Sequence, residues 1–170
     1  MENQKFTSAN TSINATRIPS AFTKFRAYGN VLDYGCGKYT AHIKDYVNAQ
    51  LASYFTYDKY NQSESVNDVA LYMGRKHGYD TIYCCNVLNV IDSDDVIWNI
   101  LHEMYNMLNR RSYMYIQIYE GNKSGIGKET KFDCYQRNMK VKEYEKFFGA
   151  FQGVPFTVKY FGNIIRITKH

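Results

Sequence analysis

The sequence predicts an α/β fold whose helices pack on both faces of a mostly parallel β-sheet, and three observations support this prediction. Short apolar segments of strand length alternate with amphipathic segments of helical period over most of the chain. The apolar segment 31–34 ends in a glycine turn, Gly35-Cys36-Gly37, which opens a helix. About twenty residues further on, a second strand segment ends in Asp58. This order is typical of a doubly wound fold with a nucleotide-type ligand site.

Length and composition indicate one folded domain behind a polar N-terminal arm. The chain has 170 residues, of which 45% are hydrophobic and only 2 are proline, so it can bury a single core. Residues 1–18 contain many Ser, Thr, Asn and Ala residues without hydrophobic periodicity, and we expect a flexible arm there. Residues 19–170 are expected to form a single domain.

The first half of the chain alternates helix and strand. The predicted elements are a short helix after Pro19, a strand over 31–34, a helix over 39–49, a strand over 52–57 and a helix over 66–77. In the last of these helices, Val66, Val69, Ala70 and Met73 recur on one face. Gly78 is the expected stop of that helix.

The second half continues the alternation and ends in a hairpin. The predicted elements are a strand over 80–86, a helix over 93–109, a strand over 113–120, a long polar loop over 121–140, a helix over 141–151 and a hairpin of 157–161 with 163–168. Ser93 is a suitable N-terminal cap for the helix over 93–109. Strands that alternate with helices pair in parallel through right-handed crossovers, and the final hairpin adds an antiparallel strand.

The glycine turn carries a resemblance to a known family. A dinucleotide fingerprint requires a third glycine where Thr40 stands, so the turn does not match it. The segment Asp33-Tyr34-Gly35-Cys36-Gly37 instead resembles motif I of the class I S-adenosylmethionine-dependent methyltransferases, and Asp58 stands at the motif II position. The resemblance covers residues 29–120. It departs from the family at Tyr39, where a third glycine is frequent.

The resemblance implies a Rossmann-like class I methyltransferase sheet in a small, compact member of the family. The sheet of this family ends with an antiparallel strand, which agrees with the hairpin predicted at the end of this chain. Between Asp58 and Asp80 the chain has room for one helix and two loops, whereas the family places a further strand there. We therefore expect edge strand three to be missing, which leaves about six strands.

The resemblance also implies a cofactor, S-adenosylmethionine, and the residues that bind it. Gly35 and Gly37 would pass close to its methionine part, and Asp33 would orient the turn or reach its ammonium group. Asp58 would hold the ribose hydroxyls, although an ordinary turn residue is the alternative at that position. A tight turn without any ligand is the alternative for the glycines.

A further cofactor contact is predicted at Asn86, which follows the strand over 80–86 and resembles the motif IV region of small-molecule and protein methyltransferases. A simple strand-ending turn is the other interpretation. The segment after Asn86 lacks the prolines of amino-methylating DNA enzymes, and Cys84 and Cys85 lack the proline of cytosine-C5 enzymes. These absences argue against a standard DNA base methyltransferase.

The loop over 121–140 and its borders supply the candidate acceptor-binding and catalytic residues. The loop fails the P-loop pattern twice, at Asn122 and Glu129. Its interleaved basic and aromatic residues are suited to nucleic acid or to closure over a small acidic substrate, and a solvated loop is the third possibility. Glu120, Asp133 and Tyr119 are the candidate general bases. Methyl transfer to a good nucleophile needs no base.

Charge and cysteine content restrict the function classes. The net charge of +5 permits an acidic partner without requiring one. The four cysteines form no C-x-x-C pair and the histidines are scattered, so we expect no metal site. Without an apolar run that spans a bilayer or a secretory leader, we expect a cytoplasmic protein with no membrane partner. Oligomeric state cannot be predicted from these observations.

The resulting hypothesis is methyl transfer from S-adenosylmethionine to a small molecule or a protein. A binding or regulatory module that keeps the fold but has lost transfer is the first alternative. A nucleic-acid-directed methyltransferase is the second, and it is not favoured.

Overall fold

The computed structural model describes residues 4–10, 16–153 and 155–170. Within these residues the chain forms a six-stranded sheet with helices on both faces. A separate two-stranded hairpin follows the fourth strand of the large sheet.

The large sheet has the strand order β2-β1-β3-β4-β8-β7. Its strands are β1 Asn30–Tyr34, β2 Ser53–Tyr57, β3 Tyr79–Cys85, β4 Leu108–Gln117, β7 Phe156–Phe161 and β8 Ile164–Lys169. The first four pair in parallel, whereas β8 is antiparallel to both β4 and β7. The prediction of a mostly parallel sheet with a C-terminal antiparallel hairpin is confirmed.

The described residues form four α-helices: α1 Ser20–Lys24, α2 Ala41–Asn48, α3 Glu64–Lys76 and α4 Asp94–Met107. Helix α1 precedes β1, and the other three connect the first four strands in turn. Serine caps fix the start of the two longest, because the hydroxyls of Ser63 and Ser93 accept hydrogen bonds from the backbone of the first turn. A 3₁₀ helix, Val141–Ala150, stands where the sequence predicts an α-helix. Its predicted α-helical character is therefore wrong, although its position is right.

The two faces of the sheet bury two separate apolar clusters. Leu32 on β1 packs with α3, α4 and the 3₁₀ helix on one face. Val31, its neighbour, packs with α1 and α2 on the other, because successive strand side chains point to opposite faces. This double cover explains why the central strands read as nearly continuous apolar runs.

The edge beyond β2 confirms the missing strand. Among the described residues no strand lies outside β2, and α3 leads directly from β2 to β3. Helix α3 also differs from the predicted amphipathic face. Ala70 and Gly74 are buried, but Val66 and Val69 are 37% and 56% exposed.

Two further segments differ from their predictions. Strand β4 begins at Leu108, directly after α4, and not at the predicted position 113, and its pairing with β3 is irregular between Leu108 and Tyr113. The segment 121–140 is not one long loop, since it contains the hairpin of β5 Lys128–Lys131 and β6 Cys134–Gln136. All four residues of β5 are exposed and polar, and such a strand has no alternation for sequence reasoning to detect.

No helix in the described ranges has the length and apolar character needed to cross a membrane.

Candidate functional site

A cavity of about 460 Å³ lies at the carboxyl ends of β1, β2 and β3. This is the edge at which open α/β sheets bind their ligands. All five residues predicted to bind a cofactor line this cavity: Asp33, Gly35, Gly37, Asp58 and Asn86. The fold therefore brings together residues from three strand ends that are up to 53 positions apart in the sequence, from Asp33 to Asn86.

The glycine turn after β1 passes along the cavity with two left-handed residues. Gly35 has φ +74° and Gly37 has φ +71°, values that side-chain-bearing residues rarely adopt. A Cβ on Gly35 would lie 2.3 Å from a methyl carbon of Val87, whereas a Cβ on Gly37 would meet nothing within 4 Å. The first glycine is thus required by packing, and the second leaves open space beside the cavity.

Asp33 is a buried carboxylate at the end of β1, with 3% of its surface exposed. The Tyr54 hydroxyl donates a hydrogen bond of 2.6 Å to its Oδ2 atom. Burial, with a smaller contribution from the negative charge of Asp58, raises the pKa of Asp33 from 3.8 to about 7, against the lowering effect of Tyr54. None of the ion pairs in the described chain includes Asp33, so the cavity presents a carboxylate without a cationic partner.

Asp58 lies in the same cavity but its carboxylate is already hydrogen-bonded. Its Oδ2 atom accepts from the Gly37 amide at 2.8 Å. Its Oδ1 atom accepts from the Tyr60 and Asn61 amides at 3.0 and 2.9 Å, and from the Asn61 side chain at 3.2 Å. Asp58 thereby ties the turn after β2 to the glycine turn after β1, which is the turn-forming role that sequence reasoning left open for it.

Asn86 ends β3 in a left-handed conformation with φ +60°, which asparagine tolerates better than most residues. Its amide donates to Gln117 O at 2.8 Å, so the backbone is fixed to the end of β4 while the residue lines the cavity. The adjoining wall is apolar and consists of Val87, Val90, Ile91, Val96 and Ile100. Such a wall suits a flat ring, with polar groups at its ends.

Several cavity residues were not found from the sequence. Glu103 of α4 lines the cavity and accepts a 2.9 Å hydrogen bond from the Tyr34 hydroxyl. Arg17, His42 and Asn99 line it as well. An acid at the border of an amphipathic helix is common, so only the helix position relative to the strand ends would have identified Glu103.

The N-terminal segment 4–10 lies against the cavity and has specific contacts. Gln4, Thr7, Ser8 and Ala9 line the cavity. The Asp133 carboxylate accepts hydrogen bonds from both the backbone amide and the hydroxyl of Thr7, and the one from the amide measures 2.8 Å. At the other end of the segment, Asn61 donates to Ala9 O at 3.3 Å. The segment thus bridges the β5–β6 hairpin and the turn after β2.

The three candidate general bases do not lie among the cavity-lining residues of the described chain. Glu120 accepts from the Val141 amide at 2.7 Å and pairs with Lys123, and its pKa is lowered chiefly by that amide. Hydrogen bonds from Thr7 lower the pKa of Asp133. Tyr119 is 61% exposed. Their catalytic role stays a prediction, and these contacts give Glu120 and Asp133 a structural role.

The site gives no support to catalysis by a reactive cysteine thiolate or to binding of a metal ion. Burial raises the pKa of the Cys36 thiol far above its ordinary value, so it stays protonated at neutral pH. Among the described residues, no group of three His, Cys, Asp or Glu side chains is arranged to hold a metal ion.

No protein-family model matches the chain, and no curated protein matches it in sequence. Solved structures do match the fold. A 1,6-didemethyltoxoflavin-N1-methyltransferase from Burkholderia thailandensis, solved with its substrate and S-adenosylhomocysteine, is 16% identical with a TM-score of 0.62, over 94% of this chain and 78% of that one. A SAM-dependent methyltransferase from Methanosarcina mazei is 12% identical with a TM-score of 0.56, over 90% and 97%. An amino pentose methyltransferase from Micromonospora echinaspora, solved with SAM, is 11% identical with a TM-score of 0.50, over 84% of each chain.

The chain therefore has the fold of the class I S-adenosylmethionine-dependent methyltransferases, in a form that lacks edge strand three. At these identities the similarity establishes the fold, and the activity has to be argued from the site.

Proposed function

We propose that the protein binds S-adenosylmethionine in the cavity at the strand ends and transfers its methyl group to an acceptor. One observation carries this proposal: Asp33, Gly35, Gly37, Asp58 and Asn86 converge on a single cavity from three adjacent strands. The neighbours of the same fold that were solved with SAM or S-adenosylhomocysteine support it.

The residues present fit this cofactor. The cavity volume of about 460 Å³ lies within the range usual for small-molecule sites. Asp33 offers a buried carboxylate that no ion pair of the described residues includes, and S-adenosylmethionine carries two positive groups, its ammonium and its sulfonium. The space beside Gly37 allows a ligand to approach the backbone. The apolar wall that begins at Val87 and continues on α4 suits an adenine ring.

We assign each residue a role that its contacts support. The cofactor, when bound, supplies an electrophilic methyl group on a positively charged sulfur. Asp33 holds the positive end of the ligand. Asp58 fixes the glycine turn through its Oδ2 atom, which accepts one hydrogen bond from the Gly37 amide and keeps a second lone pair for a ribose hydroxyl. Asn86 orients the segment that forms the apolar wall. Proximity and orientation can drive the transfer without a general base.

The acceptor enters, on this proposal, beside the N-terminal segment. Four residues of the segment 4–9 contribute to the cavity wall, and Arg17 and Lys38 bring positive charge to it. The β5–β6 hairpin, with exposed Lys128 and Lys131, supports the segment but does not line the cavity. We favour a small molecule or a protein side chain as acceptor over a nucleic acid, because the basic hairpin is set back from the cavity.

Calorimetry tests the cofactor. We expect S-adenosylmethionine and S-adenosylhomocysteine to bind and to raise the melting temperature, because a ligand that binds only the folded state stabilises it. NAD is the matched control, since it contains the same adenosine but needs the third glycine that is Thr40 here. Binding of NAD without binding of either adenosyl compound would reject the proposal.

Transfer requires a second measurement. Conversion of S-adenosylmethionine to S-adenosylhomocysteine should depend on an added acceptor pool, with metabolites, proteins and nucleic acids supplied separately. Activity with nucleic acid that falls steeply as salt rises would favour the nucleic-acid alternative. Cofactor binding with no turnover on any pool would favour a binding module.

A further inference from the structure

Strand β2 has an open edge whose backbone groups point away from the sheet. The Ser53 amide donates to Gly29 O at 2.9 Å, and Tyr57 O accepts from the Gly35 amide at 2.7 Å. Because backbone direction alternates along a strand, the amides and carbonyls of Tyr54 and Thr56 point away from β1. Within the described chain no strand lies on that side.

A groove of about 370 Å³ runs along this open edge. One wall is formed by the strand residues Tyr54, Phe55 and Thr56, and the other by residues 65–70 of α3, including Val66 and Val69. Successive strand side chains point to opposite faces of the sheet. A groove that touches three successive strand residues therefore lies along the edge itself, where an added strand would run.

This edge lacks the features that prevent an edge strand from pairing with another chain. The segment Ser53–Tyr57 contains no charged residue and no proline, whereas most natural edges are protected by Lys, Pro or a covering element. The opposite edge, β7, carries the exposed Lys159. Beside the open edge, Val66, Val69 and Tyr72 of α3 are 37%, 56% and 55% exposed. Their spacing of three residues places them in one apolar stripe.

We propose that β2 pairs antiparallel with β2 of a second copy of this chain, around a two-fold axis at Phe55. In this register Tyr54 of each copy lies opposite Thr56 of the other. The outward-pointing amides and carbonyls of these two residues are those needed for hydrogen-bonded pairs. Phe55 then lies opposite its own symmetry mate in a non-hydrogen-bonded pair, where side chains approach most closely.

Self-complementarity favours a second copy over an unrelated partner strand. The axis that makes the strands antiparallel also makes the two α3 helices antiparallel, so the stripe of Val66, Val69 and Tyr72 meets the same stripe. Helix α3 has its acidic residues, Glu64 and Asp68, in its first half, and its basic residues, Arg75 and Lys76, in its last turn. When the two α3 helices are antiparallel, the acidic first half of one helix lies beside the basic last turn of the other. This interface does not depend on the proposed methyl transfer.

Sedimentation velocity of the full chain over a concentration series tests the interface. We expect a reversible dimer, and we expect Val69→Lys to raise its dissociation constant by about tenfold or more, because the substitution opposes like charges across the axis. Thr56→Pro should also weaken it, since it removes an outward amide without breaking a bond to β1. The matched control is Val158→Pro on the β7 edge, which should leave the dimer unchanged. The His170 amide donates to Pro155 O, so alternate residues from 155 face β8 and the amide of Val158 points outward.

Hydrogen exchange identifies which edge is used. In wild type, the amides of Tyr54 and Thr56 should become protected as concentration rises, and in Val69→Lys they should not. Circular dichroism confirms that each variant folds. A chain that stays monomeric at several hundred micromolar overturns the proposal. A dimer that survives Val69→Lys also overturns the proposal. So does a dimer whose formation leaves the amides of Tyr54 and Thr56 unprotected, because the copies then associate through another surface.

Discussion

Two carboxylates at neighbouring strand ends, Asp33 after β1 and Asp58 after β2, differ in how the fold satisfies them. Asp33 has one hydrogen bond, from Tyr54, and its pKa is raised to about 7 by burial. The Asp58 carboxylate accepts four hydrogen bonds, three of them from backbone amides. The fold has therefore used Asp58 to build the site, whereas no ion pair among the described residues includes Asp33.

This difference assigns the two acids different functions. A buried carboxylate without a counter-ion is costly, and such groups are concentrated at functional sites. A cationic ligand would remove that cost by pairing with Asp33. The carboxylate of Asp58 acts first on the backbone, so its effect on a ligand includes the effect of the turn that it fixes.

The largest effect on S-adenosylmethionine binding is expected for Asp33→Asn. Above pH 7 the wild-type carboxylate is ionised and pairs with the positive groups of S-adenosylmethionine, so the substitution should weaken binding by about 3 kcal/mol or more. Below pH 7 wild-type binding should itself weaken, because a proton must leave Asp33 before it can pair with a cation. Calorimetry from pH 6 to 8.5 should show this slope in wild type and none in the variant. An equal slope in both proteins would exclude Asp33 as the titrating group.

The stability of the ligand-free protein gives an independent check on Asp33. Its folded pKa of about 7 lies above its ordinary value of 3.8, so between these values the folded chain holds a proton that the unfolded chain releases. This group therefore contributes stability at low pH that is lost as pH rises towards 7. Asp33→Asn should be more stable than wild type at pH 8, and thermal unfolding measures the difference.

A smaller effect is expected for Asp58→Ala, about 1.5–3 kcal/mol in cofactor affinity, the range for hydrogen bonds to a charged group. The matched control is Gln62→Ala, which removes the other side-chain bond to the glycine turn, from Gln62 Nε2 to Gly37 O at 2.7 Å. If Asp58 binds the ribose directly, calorimetry should show a much larger loss for Asp58→Ala than for Gln62→Ala. Equal losses would mean that Asp58 acts through the turn alone.

The same contrast shows what the sequence could and could not predict. The alternation of strands and helices, the antiparallel hairpin and the missing edge strand follow from periodicity, from chain length and from the resemblance at Gly35 and Gly37. The convergence of Asp33, Asp58 and Asn86 follows because the carboxyl ends of parallel strands share one edge. The hydrogen bonds of Asp58 could not be predicted, because they depend on the exact path of two turns.

Side chains outside the strand ends were harder to find. Glu103 lies on a helix, and its place in the cavity depends on how α4 packs across the sheet. The β5–β6 hairpin escaped prediction because its first strand is polar on both faces. Contacts such as that of Asp133 with Thr7 join residues that are distant in sequence, and no local pattern indicates them.

The smallest effect on cofactor affinity is expected for Tyr54→Phe, and this variant tests most directly what sets the charge of Asp33. The Tyr54 hydroxyl lowers the pKa of Asp33 by donating to its ionised form, so its loss should move that pKa above 7. Cofactor affinity at pH 7 should fall by about 0.5–1.5 kcal/mol, the usual value of one hydrogen bond, and should recover at higher pH. Calorimetry across pH measures the midpoint. A loss of affinity that is equal at all pH values would mean that Tyr54 acts through packing and that the charge of Asp33 is set by burial alone.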